Sequence, residues 1–108
     1  MTALHSPFRA GRTFTPADAD ALAAVLKALA DPMRLRIINL IARDGSMTVT
    51  ELVPELGITQ PSVSSHVAVL EAAGLIAAER SGTTTHRRLV IDRAAQLSGL
   101  IDPYGGGR

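Results

Sequence analysis

Residues 57–76, GITQPSVSSHVAVLEAAGLI, decide how the chain is read. At about 100° per residue, Val63, Val67, Leu70 and Gly74 fall on one narrow stripe that faces inward. Pro61, Ser65, Ala68 and Ala72 fall on the opposite side, flanked by Ser62 and Ser64. An ordinary surface helix carries long charged side chains there. Short side chains instead let a helix backbone come close to a grooved partner, and hydroxyl and amide groups bond to it without the cost of burying charge. Thr59 is placed to cap the helix, and Pro61 is tolerated because first-turn amides have no internal partner.

The preceding segment completes the unit. Thr48 and Glu51 form a T-x-x-E capping box, which predicts a short third helix with Leu52 and Leu56 as core contacts. Pro54 removes a backbone donor, so this helix should be short or locally irregular. Gly57 supplies the left-handed residue of a tight turn. Two helices joined through a glycine bend outline a helix-turn-helix, whose second helix touches bases with its N-terminal residues. Thr59, Gln60, Ser62 and Ser65 stand there. Glutamine pairs best with adenine in the major groove, and serine or threonine with several bases.

Working outward, Thr15-Pro16 and Asp31-Pro32 each read as a cap followed by a proline in the first helical position. The first helix repeats Leu22, Val25, Leu26 and Leu29. The second is expected to bury Leu35, Ile37, Ile38 and Ile41 and to stop near Gly45. After Gly74, residues 75–81 and 86–92 suggest a β-hairpin joined by GTTT. A last helix, roughly residues 93–101, offers Leu97, Leu100 and Ile101. The expected fold is therefore mainly α with a small β-hairpin, about five helices and a two-stranded wing. Residues 1–14 read as a flexible arm carrying Arg9 and Arg12, residues 15–102 as one domain, and residues 103–108 as a disordered tail.

Composition narrows the function. The chain of 108 residues is 46% hydrophobic and 19% charged, as a globular domain is. It has no cysteine, which removes thiolate metal sites, disulfides and thiol chemistry. No apolar run approaches the length of a membrane span, so a cytoplasmic protein without membrane association is the expectation. Aromatics are 3%, too few for stacking platforms that bind single strands. Net charge is only +1. Yet between Leu75 and Arg93 the bases Arg80, Arg87, Arg88 and Arg93 face only the acids Glu79 and Asp92, a local excess suited to phosphate.

Taken together, these residues resemble the arsenical-resistance repressor (ArsR/SmtB) family of winged helix-turn-helix regulators. The likeness covers about Ala21 to Ile91. It rests on ALADPMRLRIINLI (28–41), TVTELVPELGITQPSVSSHVAVLEAAGLI (48–76) and AERSGTTTHRRLVID (78–92). It implies a homodimeric repressor that places a recognition helix (Thr59, Gln60, Ser62, Ser64, Ser65, His66) in the major groove of a palindromic operator. A wing (Arg80, Thr84, His86, Arg87, Arg88) would lie beside the backbone, and the first and last helices (Leu22, Val25, Leu97, Leu100, Ile101) would join the subunits. Many members sense soft metals through C-x-C at the start of the third helix. Thr48 and Thr50 stand there instead, and hydroxyls do not replace thiolates. Others use Asp and His on the last helix, but no histidine follows His86. No metal or other cofactor is expected, and any effector would be an unidentified small molecule or protein. Ser65 and Ala68 also replace larger polar or basic residues, which shifts phosphate binding toward wing and arm.

Two other functions compete. A winged-helix module that has lost DNA binding would use the same face for protein contact, in keeping with the near-neutral charge and Ala68. A hydrolase built on Ser64, Ser65 and His66 would need side chains that converge. Neighbours on a helix diverge, and no acid is placed to orient the imidazole.

Overall fold

The computed structural model describes residues 13–90. Helix α1 (Pro16–Leu29) begins where Thr15 Oγ1 accepts from Asp18 N–H at 3.1 Å and Asp18 Oδ2 accepts from Thr15 N–H at 2.9 Å. Helix α2 (Pro32–Asp44) starts on Asp31, whose Oδ1 accepts from Met33 N–H at 2.8 Å and Arg34 N–H at 3.1 Å. In α3 (Val49–Leu56) the Thr48–Glu51 box closes reciprocally, at 3.1 and 2.9 Å. This helix carries Pro54 and lasts eight residues, in line with the missing backbone donor. Gly57, at φ +70°, turns the chain into α4 (Gln60–Ala72), capped by Thr59.

Strands β1 (Ile76–Ser81) and β2 (Thr84–Leu89) form an antiparallel hairpin running from the pair Ile76–Leu89 to the pair Ser81–Thr84. The turn is two residues long, shorter than GTTT suggests. Gly82 takes φ +64° and Thr83 does not, the pattern of a type II′ turn whose twist matches the strands. Thr84 and Thr85 consequently belong to β2. Met47 joins the sheet edge, exchanging backbone hydrogen bonds with Arg87 at 3.0 and 2.8 Å. The hairpin base is closed by Val90 N–H to Leu75 C=O at 3.0 Å.

Four helices and one hairpin are thus the elements among the described residues. The expected fifth helix and tail, with Leu97, Leu100 and Ile101, and the arm residues Arg9 and Arg12 lie outside the described residues.

Ile37, Ile41, Leu52, Val63, Val67 and Leu70 are almost completely buried and fill the space between α2, α3 and α4. Val25 and Ala28 of α1, and Leu75 and Ile76 at the hairpin base, close this core. The expected phase of α2 was wrong in part. Leu35 is 51% exposed, Ile38 only half-buried, and Leu40 is in the core instead. Residues 35–41 are apolar around more than half the helix, so which side turns inward is decided by α3 and α4 rather than by local pattern. Likewise Leu26 is 44% exposed, and Ala28 takes the inward position on α1.

Replacing Ile37 by alanine should cost about 2–5 kcal/mol in urea unfolding, and Leu35→Ala much less. Equal costs would mean that α2 is turned otherwise. Acid stability tests the Asp31 cap. Its carboxyl is held below the usual carboxylate range chiefly by the Arg34 N–H; burial, the next-largest influence, works in the opposite direction, and the Met33 N–H and the Arg34 charge add to the lowering. A depressed folded pKa stabilises the protein above the unfolded value of about 3.9 and loses that contribution as pH falls through the folded one. Asp31→Asn keeps a capping oxygen but does not titrate, so its unfolding free energy should fall less than the parent's below about pH 4. Parallel pH curves would contradict this account of the cap.

Candidate nucleic-acid interface

Helix α4 has the division of faces expected from its spacing. Val63, Val67 and Leu70 are buried, while Thr59, Gln60, Ser62, Ser64, Ser65 and Ala68 are exposed. The Thr59 hydroxyl accepts from Ser62 N–H at 3.3 Å and donates to Ser62 Oγ at 3.0 Å. The first turn therefore presents a fixed pair of hydroxyls, with the Ser62 proton left to donate outward. Gln60, Ser64 and Ser65 make no hydrogen bond with other side chains among the described residues.

Both flanks of this helix are held by an arginine from elsewhere in the chain. At about 100° per residue, Gln60, Ser64 and Glu71 share one flank, and Ser62, His66 and Val69 the other. On the first flank Arg87 Nε donates to Glu71 Oε2 at 3.1 Å, with side chains only 19% and 30% exposed. On the second, Arg34 Nη1 donates to His66 Nδ1 at 3.2 Å. The same guanidinium donates from Nε to Ala28 C=O at 2.6 Å and from Nη2 to Lys27 C=O at 3.4 Å, and it stands 3.9 Å from Asp31 Oδ2. It thus satisfies carbonyls of the last turn of α1, complements the negative end of that helix's dipole, and reaches α4.

The wing residues separate by face. Alternation along β2 puts His86 and Arg88 on one side with Thr84, and Arg87 on the other, beside Ala78. Arg87 is turned toward α4 and engaged with Glu71, so it is not displayed as its neighbours are. Arg88 is half exposed and lies 3.6 Å from Glu79 Oε2, an open surface pair of little strength. Arg80 is exposed and donates from Nε to Gly82 C=O at 3.2 Å. His86 is half-buried, opposite Glu79 in the register, and Thr84 is exposed at the turn.

The remaining sequence-based candidates stand in more sheltered surroundings. Leu22 and Val25 are 9% and 2% exposed within the single chain, buried among its own helices, and the exposed large apolar side chain of α1 is Leu26. His66 is half-buried and engaged with a guanidinium rather than standing free on the exposed face. The Thr48 hydroxyl is used as a helix cap. No group of three or more His, Asp or Glu side chains among the described residues is arranged to hold a metal ion. Sequence reasoning missed Arg34 and Glu71. Glu71 had a signal, being the single ionised side chain of α4, whereas the Arg34 contacts join residues up to 32 apart and leave no local mark.

Comparison with known proteins agrees with this geometry. The profile of the family described as "Bacterial regulatory protein, arsR family" matches residues 31–78. An HTH-type transcriptional regulator of Methanocaldococcus jannaschii is 39% identical over 80 residues, covering 74% of this chain and 90% of that protein. The arsenic resistance transcriptional regulator of Pseudomonas putida is 39% identical over 82 residues, covering 72% of this chain. There the match spans 64% of the relative, under two thirds of its length. A solved homodimeric winged helix-turn-helix DNA-binding domain from Mycobacterium bovis, a possible ArsR-family transcriptional regulator, superimposes with a TM-score of 0.68 at 30% identity. That match covers 87% of this chain and 90% of the other.

Proposed function

The chain belongs to the arsR family of bacterial regulatory proteins, and from that premise we propose that it is a sequence-specific, double-stranded DNA-binding transcriptional regulator acting as a dimeric repressor of adjacent genes. The observation that carries this reading is the exposed N-terminal face of α4. It is free of ionised side chains, built from Gln60, Ser62, Ser64 and Ser65, and held on both flanks. A helix so equipped fits the major groove, where base edges offer donors and acceptors that amide and hydroxyl groups match. Gln60 and Ser65 are assigned to base edges, and Ser62, with Thr59 behind it, to the groove entrance. Arg80, Arg88, Thr84 and His86 are assigned to the sugar-phosphate backbone. Arg87 is assigned to holding the wing against α4.

The homodimeric neighbour supports a two-fold arrangement in which two such helices read two half-sites. Leu26 on the outer side of α1 is a candidate contact between subunits, together with the expected Leu97, Leu100 and Ile101. Such a regulator works in the cytoplasm, where its operator is, and no helix among the described residues is long and apolar enough to cross a membrane. Release from DNA is assigned to a signal other than a thiol-bound metal, since this chain has no thiol and Thr48 occupies its hydroxyl in a cap. No catalytic role is assigned to Ser64, Ser65 and His66. In a triad a carboxylate orients the ring through Nδ1, and here that atom faces a guanidinium.

Equilibrium titration of the purified protein against its own upstream DNA and against random DNA tests the assignment. Gln60→Ala should weaken operator binding by about 1–3 kcal/mol and leave random DNA almost unaffected. Arg88→Ala should weaken both and make the slope of log affinity against log salt shallower by about 0.9. Equal losses on both DNAs for Gln60→Ala would remove the base-reading role. Absence of binding even at low salt would favour the protein-interaction module instead.

A further inference from the structure

His66 sits between the buried stripe of α4 and its exposed crown, next to Ser62 and Ser65. Its ring meets Arg34 Nη1 through Nδ1 at 3.2 Å. A guanidinium has donors and no acceptor, so Nδ1 must bring the lone pair. The proton of the neutral ring is then on Nε2, the far nitrogen. Arg34 is itself tied down by the carbonyls of Lys27 and Ala28 and by Asp31, with only 17% of its side chain exposed. The ring is therefore oriented by a group that cannot easily move.

We propose that Arg34 is a positioning residue for DNA binding: it holds His66 as the Nε2–H tautomer, so that Nε2 offers a neutral hydrogen-bond donor to a phosphate oxygen bordering the groove that α4 enters. This rests on the DNA-binding reading above. Phosphate rather than base follows from placement. His66 lies about 60° from the inward stripe, half-buried and tied through Nδ1, so its ring stays at the side of the helix near the groove wall. The exposed Gln60, by contrast, carries a longer side chain that can extend to the groove floor. A neutral donor displaces no counterion, so its loss lowers affinity without altering the salt slope, unlike loss of Arg88. The arrangement also ties the reading helix to the end of α1, so a displacement of α1 would be felt by the phosphate donor.

The test combines long-range 1H–15N NMR of the free full-length protein with salt-dependent titrations of operator and random DNA. The parent should show His66 with its proton on Nε2, and Arg34→Ala should abolish that single-tautomer signature. His66→Ala should weaken both DNAs about three- to tenfold with the salt slope unchanged. His66→Gln, whose amide nitrogen can stand near Nε2, should recover most of the loss. Arg34→Ala should weaken binding similarly, and the double variant should be no weaker than either single one. Circular dichroism melts confirm that each variant is folded at the titration temperature. An Nδ1–H tautomer in the parent, unchanged affinity in folded His66→Ala, or a slope reduced by about 0.9 would each overturn the proposal. If the parent binds neither DNA, the repressor reading fails and takes the phosphate role with it. If it binds and His66→Ala binds equally well, only the present inference fails.

Discussion

The structure depends on how firmly α4 is held. A serine reaches out by one bond beyond Cβ, so a helix that reads with serines has no reach with which to correct a misplaced backbone. Its position must come from the scaffold. Two arginines supply it, Arg34 to His66 on one flank and Arg87 to Glu71 on the other, each mostly sheltered from water. Partial burial makes such contacts directional, and it makes removal of one partner costly because the other is left in a poorly solvated place.

Beneath the helix the same constraint appears as packing. Val63 and Val67 carry branched Cβ atoms with few rotamers, and with Leu70 they are buried against Ile37, Ile41 and Leu52. The hairpin is joined to this body at three places: Ile76 and Leu75 in the core, Met47 bridged to Arg87, and the Arg87 side chain on Glu71. Strand β2 is thereby linked both to the segment that starts α3 and to the far end of α4. A regulator built this way moves its wing and its reading helix together.

What was legible in the sequence was what is local. Caps at Thr15, Asp31, Thr48 and Thr59, the glycine bend at Gly57, the shortened α3 and the inward stripe of α4 all follow from neighbouring residues, and each stands in the structure. The phase of α2 was not legible, because five apolar residues between 35 and 41 leave two possible inner sides. Alternation sets Arg87 and Arg88 on opposite faces of β2, but which face turns toward Glu71 needed the packing of the hairpin against α4. The Arg34 contacts with α1 and α4 required the tertiary fold. Local signals thus drew the outline of the interface, while the contacts that hold it in place became visible only in three dimensions.

Methylation interference on the upstream DNA tests the central claim most directly, because it asks which groove the exposed face of α4 enters. Dimethyl sulfate marks guanine N7 in the major groove and adenine N3 in the minor groove. The account predicts that N7 methylation blocks binding at two clusters whose centres are a whole number of turns apart, about 10–10.5 base pairs per turn. Interference confined to adenine N3, or binding indifferent to methylation at every purine, would contradict it.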